Sequence, residues 1–398
     1  MICKSYETKV DKSHLTVQTL EALQMLFVEA KWFYNDLISR PDIFSASYKT
    51  RVVWIKNKEG VLETRNIAIL SSQMRQEIVE RAKASVRSLR KLKKSGHKVG
   101  SLKFKSQVKS IPLRQYLKTH KICGDKITIQ NIKQPMRLRG LDQIPEGVEM
   151  ANATLDRKDG NYYVHLTTYQ NQVPRTIPKG AIGIDSGIKH QLTLSNGLRI
   201  DERVSLTKKL KRLQRRLSGM KTRSGNWFET KLNLSKEHNH IANQRKDIRN
   251  KIVGKLAATY ECVATQDDYF PLWQKMWGRR IAESAIGGIT SGLKQKPHTS
   301  IVVQRYAPTT KKCSNCGILN NVELETRVFC CNSCRLHIDR DLNAAINIWR
   351  AIPAERREIT PVDMRTATEL LGYFNRIPGV AASLVKETGS QPPATETN

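Results

Sequence analysis

The chain has 398 residues, enough for two or three domains, and its 68 Lys and Arg against 36 Asp and Glu give a net charge of +32. Such a charge opposes compaction by self-repulsion unless a polyanion neutralises it, which favours a nucleic-acid-binding protein over a basic membrane-surface protein. With no 18-residue apolar run, signal peptide or lipidation motif, and too few cysteines for a disulfide scaffold, the sequence predicts a cytosolic protein.

The first hundred residues predict a short strand and two amphipathic helices. The strand covers residues 1–10, and apolar residues then recur at three- and four-residue steps until Pro41 ends the pattern. A second helix begins near Ser71 and ends at the turn around Gly96. We therefore predict a small helical domain over residues 11–100.

The next segment predicts β-structure. The run KITIQ alternates between apolar and polar residues, and an Asp-Gly turn at 159–160 separates two further strand-like runs. These patterns predict a small β-barrel or sheet over residues 101–178, completed by the strand at residues 1–10.

The segment 181–200 predicts three strands joined by two turns, with Asp185 at the end of the first strand. An acid at the end of a buried strand, followed by two hairpin strands, is typical of the opening of an RNase H-like fold. A basic helix, further helical character over 231–259 and the strand CVAT follow. A helix over 274–294 and the strand SIVVQ then lead to the cysteine-rich segment. After residue 352 a helix near 363–374 precedes a polar end.

Two basic blocks lie on helical segments. Residues 81–124 contain fourteen Lys or Arg and no Asp or Glu, and residues 203–228 also contain no acid. Blocks of one sign usually form a solvated face, but on helices they favour a groove that binds a nucleic-acid backbone. The candidate contacts are Arg87, Arg90, Lys91, Lys94, Lys103, Lys105, Lys208, Arg212 and Arg215.

Two C-x2-C pairs separated by fourteen residues predict a zinc site. Each pair supplies two thiolates from one tight turn, and four thiolates leave no open coordination position, so the single Zn2+ is expected to be structural. The predicted ligands are Cys313, Cys316, Cys331 and Cys334. Cys330 does not fit the two-residue spacing to Cys334, which Cys331 satisfies.

Three carboxylates stand where an RNase H-like sheet would gather them: Asp185, an acid in the run 266–268, and Asp341 before the helical NAAINIW. Such a cluster suits phosphodiester hydrolysis with two Mg2+ ions, which activate water and stabilise the leaving oxygen. Each acid also has a purely structural alternative. Asp185 can cap a turn, and Asp341 can be a helix N-cap. The carboxylate of the site can also belong to Asp339 instead of Asp341.

The identity of the middle acid depends on which side chains of the strand ending in Gln266 point toward the other two acids. Because side chains alternate faces along a strand, Asp268 shares a face with Gln266 while Asp267 points away. If Gln266 faces the metals, Asp268 is the second acid, and we favour it over Asp267.

With these motifs the chain resembles the TnpB family of transposon-encoded, RNA-guided DNA endonucleases, relatives of the compact type V CRISPR effectors. GIDSGIK at 183–189 is similar to the first RuvC motif of the family, and residues 313–348 to its zinc ribbon and third RuvC motif. SLKFKS at 101–106 resembles the basic segment that closes the helical lobe.

The resemblance implies a multidomain α+β fold. Its expected parts are a helical recognition domain (11–100), a wedge β-barrel domain (1–10 and 101–178), a RuvC-like nuclease domain (179–306 and 338–352), a zinc-ribbon insert that binds target nucleic acid (307–337), and a partly disordered C-terminal tail (353–398). The expected partners are a guide RNA and a double-stranded DNA target, with no membrane contact. The expected location is the prokaryotic cytoplasm, with nucleoid association when bound.

The resemblance also implies that Asp185, Asp268 and Asp341 hold the two Mg2+ ions of a guided endonuclease, which reads a short motif beside the guide-paired target. One departure affects this expectation, because the second RuvC motif of the family usually carries Glu where this chain has Gln266-Asp267-Asp268. The alternatives are a nuclease-deficient RNA-guided repressor and a guide-free zinc-ribbon DNA-binding protein or transposase.

Overall fold

The computed structural model describes residues 1–57, 59–171, 176–202, 204–278, 280–281, 284–323, 326–357 and 364–385, in two compact units, 1–174 and 175–398. The polar end of the chain from residue 386, part of the tail predicted to be partly disordered, lies outside the described residues. Within the described ranges, no helix is long and apolar enough to span a membrane.

The first unit is built on a seven-stranded, barrel-like antiparallel sheet. In sheet order its strands are β4 (Ser110–Leu113), β8 (Glu149–Lys158), β9 (Asn161–Gln170), β1 (Ile2–Val10), β7 (Met136–Arg139), β6 (Lys126–Ile129) and β5 (His120–Cys123). The N-terminal strand pairs with β9 from Ile2 to Lys9, which confirms that residues 1–10 complete this sheet. The Asp-Gly turn is also confirmed, since Asp159 and Gly160 have the positive φ values of 51° and 73° that a tight hairpin needs.

Two helices, α1 (Val17–Ser39) and α2 (Ser72–Lys94), pack in the same unit, with Thr16 and Ser71 as their N-caps. Between them lies a hairpin that the sequence analysis missed, β2 (Val52–Lys56) and β3 (Leu62–Asn66). Buried side chains of both helices and of the sheet form one hydrophobic core. The boundary predicted at residue 100 therefore has no counterpart in the packing, and the division into recognition and wedge domains stays a functional prediction.

The second unit is built on a six-stranded mixed sheet. In sheet order its strands are β14 (Thr299–Val303), β13 (Cys262–Gln266), β10 (Ala181–Ser186), β11 (Leu192–Leu194), β12 (Leu198–Glu202) and β17 (Val380–Leu384). Strands β10, β13 and β14 are parallel, and the other pairings are antiparallel. The three strands predicted over 181–200 are confirmed. The edge strand β17 corrects the expectation of a tail after residue 352.

Among the described residues, this unit contains the helices α3 (Lys208–Ser218), α4 (Gly225–Thr259), α5 (Phe270–Trp277), α6 (Ile286–Leu293), α7 (Arg340–Arg350) and α8 (Met364–Asn375). A small hairpin is formed by β15 (Val328–Cys330) and β16 (His337–Asp339). The single helix predicted over 274–294 is wrong. α5 begins earlier, with Pro271 in its first turn, and ends at Gly278, whose φ of +50° a side chain disfavours. Arg280 and Ile281 are helical again, and after a bend at residues 284–285 the helix α6 begins at Ile286.

Helices cover both faces of the sheet. Ile182 and Ile184 of β10 belong to a core formed with α4, α6 and α8. Ala181 belongs to a second, smaller core with Ile348 and Trp349 of α7. Because side chains alternate along a strand, the residues on the α7 side of β10 are Ala181, Gly183 and Asp185.

Candidate functional site

The contact between β10 and α7 sets the position of two acids. A Cβ atom at Gly183 would overlap the backbone of α7 at Ala345 and Trp349, so only glycine permits this close approach. Two residues of strand advance about 6.6 Å and four residues of helix about 6 Å, so the contact pattern repeats along the pair. One repeat further on, Asp185 of the strand meets Asp341 of the helix.

The three predicted acids influence one another electrostatically. Burial, followed by the carboxylates of Asp341 and Asp268, raises the pKa of Asp185 well above its usual value, and the Arg340 guanidinium opposes this shift. The acids do not form a single tight cage. Among the described residues, only the four cysteines form a group of three or more candidate ligands whose ligand atoms all lie within 4.8 Å of one another.

Asp268 is the middle acid that faces this cluster. Burial raises its pKa to about 6, and a hydrogen bond from Ser186, the residue after Asp185, partly offsets the shift. Its Oδ2 atom is buried without a hydrogen-bond partner. A buried, unsatisfied carboxylate oxygen beside a second acid suits a cation, because a metal ion would both ligate the oxygen and relieve the repulsion.

Asp267 has a different environment. Its Oδ1 lies 3.1 Å from Lys294 Nζ and its Oδ2 lies 2.7 Å from a terminal nitrogen of Arg305. These two hydrogen bonds lower the pKa of Asp267. Asp267 is therefore held in ion pairs on the side of β14, away from Asp185.

Gln266 lies level with Asp185 on the adjacent strand. The parallel register pairs Ile184 with Thr265, so the next residues, Asp185 and Gln266, are neighbours on one face. The Gln266 amide, however, binds the segment after β14. Its Nε2 donates to the main-chain oxygens of Gln304 (3.3 Å), Arg305 (3.0 Å) and Ala307 (3.2 Å), and its Oε1 accepts from Thr309 Oγ1 (2.9 Å).

Asp339 and Asp341 have separate roles. Asp339 is the N-cap of α7, since its Oδ1 accepts from the backbone N–H groups of Asp341 and Leu342, each at 3.1 Å. Its Oδ2 lies 2.6 Å from a guanidinium nitrogen of Arg199. The alternative that Asp341 is itself the N-cap is therefore wrong, and its carboxylate stands in the first turn beside Asp185.

The predicted zinc ligands Cys313, Cys316, Cys331 and Cys334 lie together. Their Sγ atoms are 3.5 Å apart in the pairs 313–334 and 316–331. Four thiolates placed tetrahedrally about 2.3 Å from a zinc ion would be about 3.8 Å apart, so the spacing fits this ion. Cys330 lies outside the cluster, with its Sγ 3.3 Å from His337 Nδ1.

Both halves of the cluster have the same local shape. Gly317 and Arg335, each directly after the second cysteine of a pair, have positive φ values of 80° and 58°. Their N–H groups donate to the carbonyl oxygens of the first cysteine of each pair, each at 3.0 Å. Main-chain donors, first Cys334 N–H, lower the pKa of Cys331 to about 6, which favours the thiolate that a metal requires.

Two asparagines join the cysteine cluster to the acids, and the sequence analysis missed both. Asn343 accepts from Ser314 N and donates to the carbonyl oxygen of Lys312, both at 2.8 Å. Asn347 donates to the carbonyl oxygen of Thr309 at 2.8 Å. Both lie on α7, so the helix that carries Asp341 also holds the first cysteine pair.

The candidate nucleic-acid contacts lie on exposed surfaces of their own units. Lys208, Arg212 and Arg215 are exposed on α3, whose Leu210 and Leu213 are buried. In the first unit the contacts are exposed as well, and two of them stack on Phe44: the guanidinium carbons of Arg87 and Arg90 lie 5.7 and 4.7 Å from its ring centroid. The other exposed candidates of this unit are Lys91, Lys94, Lys103 and Lys105.

Two family models match the second half of the chain. One is described as "Probable transposase" (OrfB_IS605) and matches residues 164–267; the other is a Cas12f1-like TNB domain and matches residues 292–348. The first covers the segment from β10 to β13 with Asp185, and the second covers the cysteine cluster with Asp341.

Several curated proteins are similar to the chain. A Streptomyces pristinaespiralis protein named "Putative RNA-guided DNA endonuclease" is 27% identical over 63% of this chain and 65% of its own length. The Escherichia coli K12 protein InsQ, with the same description, is 30% identical over 33% of each chain. The TnpB-like protein L79 of Acanthamoeba polyphaga mimivirus is 28% identical over 45% of this chain and 40% of its own.

The chain therefore aligns with less than two thirds of each of these relatives. A solved structure of a Cas12f1–sgRNA–target DNA complex aligns with 84% of this chain and 83% of its own at 17% identity, with a TM-score of 0.45. The two family models together cover Asp185, Asp341 and the cysteine cluster. By these matches the chain is similar to the TnpB family.

Proposed function

We propose that the chain is an RNA-guided DNA endonuclease that hydrolyses phosphodiester bonds at the acid cluster. The observation that carries the proposal is the convergence of Asp185, Asp268 and Asp341, with the unsatisfied Oδ2 of Asp268, in a chain similar to this family. Two relatives are named as RNA-guided DNA endonucleases, which supports the same activity here.

In this proposal Asp185, Asp268 and Asp341 hold the Mg2+ ions. Bound Mg2+ supplies an activated water and stabilises charge on the leaving oxygen. The protein's contribution is placement. Gly183 lets α7 approach β10, Asp339 caps α7 so that Asp341 is free of that role, and Ser186 orients Asp268. The sheet and α7 then form the RuvC-like nuclease domain.

The cysteine cluster, in the same proposal, binds one structural Zn2+ and forms the zinc ribbon. Its hydrogen bonds to Asn343 and Asn347 suggest that zinc also fixes the start of α7. Metal analysis should find about one zinc per chain, with loss of zinc in Cys331→Ser. A full complement of zinc in that variant would contradict the assignment.

Guide RNA and double-stranded target DNA are the proposed partners. The basic faces of α2 and α3 would hold nucleic acid by its backbone and shape, while guide pairing reads the target sequence. The first unit would supply the recognition and wedge functions, and a short motif beside the target would be read by the protein.

The direct test is cleavage of a matched plasmid by protein purified with its RNA. We expect Mg2+-dependent cleavage that Asp185→Ala and Asp341→Ala each abolish. Asp247→Ala is the control, because this acid lies on α4, exposed and paired with Lys251. Full cleavage by either acid variant would overturn the assignment of the site.

A second candidate is guided binding without cleavage, and Gln266 favours it. An amide fills the position level with Asp185, where the family usually has Glu, and it is committed to four hydrogen bonds. If Asp268 does not replace the missing carboxylate, the protein binds its target and blocks transcription.

Gln266→Glu distinguishes the two candidates. A carboxylate cannot donate to the three carbonyl oxygens, so it would turn toward Asp185 and the metals. If the wild type is a repressor, we expect the variant to gain cleavage. If Asp268 already serves as the second acid, Gln266→Glu should gain nothing and Asp268→Ala should lose cleavage. Unchanged cleavage in Asp268→Ala would exclude Asp268 as that acid.

A further inference from the structure

A short helix directly after the acid cluster exposes an unusual amount of aromatic and apolar surface. No residue of α5 is buried. Tyr269 and Leu272 are each 49% exposed, Met276 is 63% exposed, Trp277 is 38% exposed, and Tyr306 is 89% exposed. We call these five residues the aromatic surface. Grouped exposed side chains of this kind mark binding sites, because burying them would be favourable.

The rings of α5 are held in a fixed series. The centroids of Phe270 and Trp273 are 5.2 Å apart at an interplanar angle of 77°, and those of Trp273 and Trp277 are 6.2 Å apart at 82°. Phe270 anchors the series, since its ring lies against Gly287 of α6. The faces of Trp277 and its neighbours are therefore presented by a supported helix.

Arg305 connects α5 to Tyr306. Its guanidinium carbon lies 5.0 Å from the ring centroid of Tyr269. The same guanidinium donates to Asp267 at Oδ2 (2.7 Å) and at the main-chain oxygen (3.1 Å). Tyr306, the next residue, is thereby kept beside the segment that runs from the acid cluster into α5.

The charge around the aromatic surface is positive. Residues 269–281 contain no Asp or Glu, while Lys275 and Arg280 are exposed there. Asp267, two residues before Tyr269, is already paired with Lys294 and Arg305. Exposed rings beside exposed cations offer stacking and backbone attraction to one polymer.

We propose that the aromatic surface binds single-stranded nucleic acid by stacking on its bases. The choice of strand rests on the proposed function: the bound strand would be the one that reaches the acid cluster, since Asp268 directly precedes Tyr269. Every base has a stacking face, so this binding tolerates any sequence. A duplex conceals those faces, and a second copy of this chain would set its own cations against Lys275 and Arg280.

The test compares two labelled oligonucleotides of about twelve nucleotides, oligo(dT) and an abasic strand of equal length, by fluorescence anisotropy. The two share phosphates, so their affinity ratio isolates the contribution of the bases. We expect the wild-type protein with its RNA to prefer oligo(dT). Trp277→Ala and Tyr306→Ala should each reduce the preference by roughly 5- to 150-fold, since stacking on one base is worth about 1–3 kcal/mol.

Two further variants separate stacking from general damage. Trp277→Phe keeps a ring and should retain most of the preference. Phe228→Ala removes a ring that is 56% exposed at the start of α4, and should leave the preference unchanged. An equal preference in the wild type, Trp277→Ala and Tyr306→Ala overturns the inference.

The position of contact is read by photo-crosslinking an oligonucleotide that carries iodouracil, which reacts with aromatic side chains. We expect crosslinks on the tryptic peptides 276–279 and 306–311. Two outcomes contradict the proposal. One is crosslinking only to other peptides. The other is a protein that shows no base preference but forms a dimer that Trp277→Ala dissociates.

All of these experiments measure binding and not cleavage, so the same results are expected in the Asp185→Ala variant. If the base preference depends on Trp277 while no cleavage occurs, this inference stands and the nuclease proposal fails.

Discussion

Asp267 and Asp268 are adjacent in the chain but have opposite electrostatic environments. Asp267 gains two cationic partners, Lys294 and Arg305, which lower its pKa. The carboxylate of Asp268 is shielded from water by burial and lies near the carboxylate of Asp185. Such an arrangement is typical of a functional site that binds a cation. Adjacent residues separate in this way because β13 ends here and the chain turns into α5.

The pKa of Asp268 predicts how the metal-free protein responds to pH. Its folded pKa of about 6 lies above the usual 3.8, so its contribution to stability is complete below pH 3.8 and is lost as the pH rises through about 6. The loss is at most about 3 kcal/mol, and screening of this half-buried group reduces it. Asp268→Asn, which stays neutral, should raise the melting temperature of metal-free protein at pH 8 more than at pH 4.

Asp267→Asn is the matched control for that measurement. It removes the pairs with Lys294 and Arg305, so it should not raise the melting temperature at pH 8. Mg2+ should stabilise the wild type at pH 8 and stabilise Asp268→Asn less. A melting temperature of the wild type that is independent of pH between 4 and 8 would count against the raised pKa.

At the residue scale the sequence identified the candidate ligand residues better than the residues that hold them in place. The cysteine spacing and the acid after a buried strand are local patterns, and the structure brings these residues together. The partners of Gln266, Asn343 and Asn347 lie roughly thirty to forty residues away in the chain, and pairing over that separation leaves no local signal. The family departure at Gln266 was visible in the sequence, but its hydrogen bonds were not.

At the element scale, strong periodicity predicted α1, α2 and the strands β10 to β12, while weaker segments failed. The hairpin β2–β3 and the edge strand β17 are short, and β17 is stabilised by pairing with β12, far away in the chain. The helix predicted over 274–294 failed because its apolar residues do not form one buried stripe. Those of α5 are exposed and those of α6 are buried.

The packing of α7 on β10 predicts the effect of a single methyl group. Gly183→Ala would drive a Cβ atom into the backbone of α7, which cannot yield as a flexible side chain can. We expect a loss of about 1–3 kcal/mol in the free energy of unfolding and displacement of Asp341 from Asp185. Urea unfolding measures the first effect, and the rate of plasmid cleavage measures the second.

Gly372→Ala provides the contrast, because Gly372 lies in α8 with nothing within 4 Å of the added atom. That substitution should stabilise the protein by about 0.4–1 kcal/mol through the unfolded state. Equal stability of the two variants would mean that α7 does not depend on the close approach at Gly183.

At the scale of the whole molecule, the net charge of +32 predicts a polyanionic partner, and composition alone is enough for this prediction. Composition could not predict that the helices of residues 11–100 share a core with the sheet, because that depends on contacts between distant segments. The two basic blocks fall in different units, on α2 with its following segment and on α3. Each unit therefore carries an exposed basic face of its own.

Salt dependence tests whether these faces bind phosphates. Each neutralised phosphate releases counterions, so log affinity for the co-purifying RNA should fall linearly with log salt concentration. Arg212→Ala and Arg90→Ala should each reduce the slope by about 0.7–0.9, because each removes one phosphate contact. Lys251→Ala is the control, since this residue pairs with Asp247 on α4 outside both blocks. If Lys251→Ala changes the slope as much as Arg212→Ala does, the charge acts diffusely and the basic faces of α2 and α3 are not specific binding surfaces.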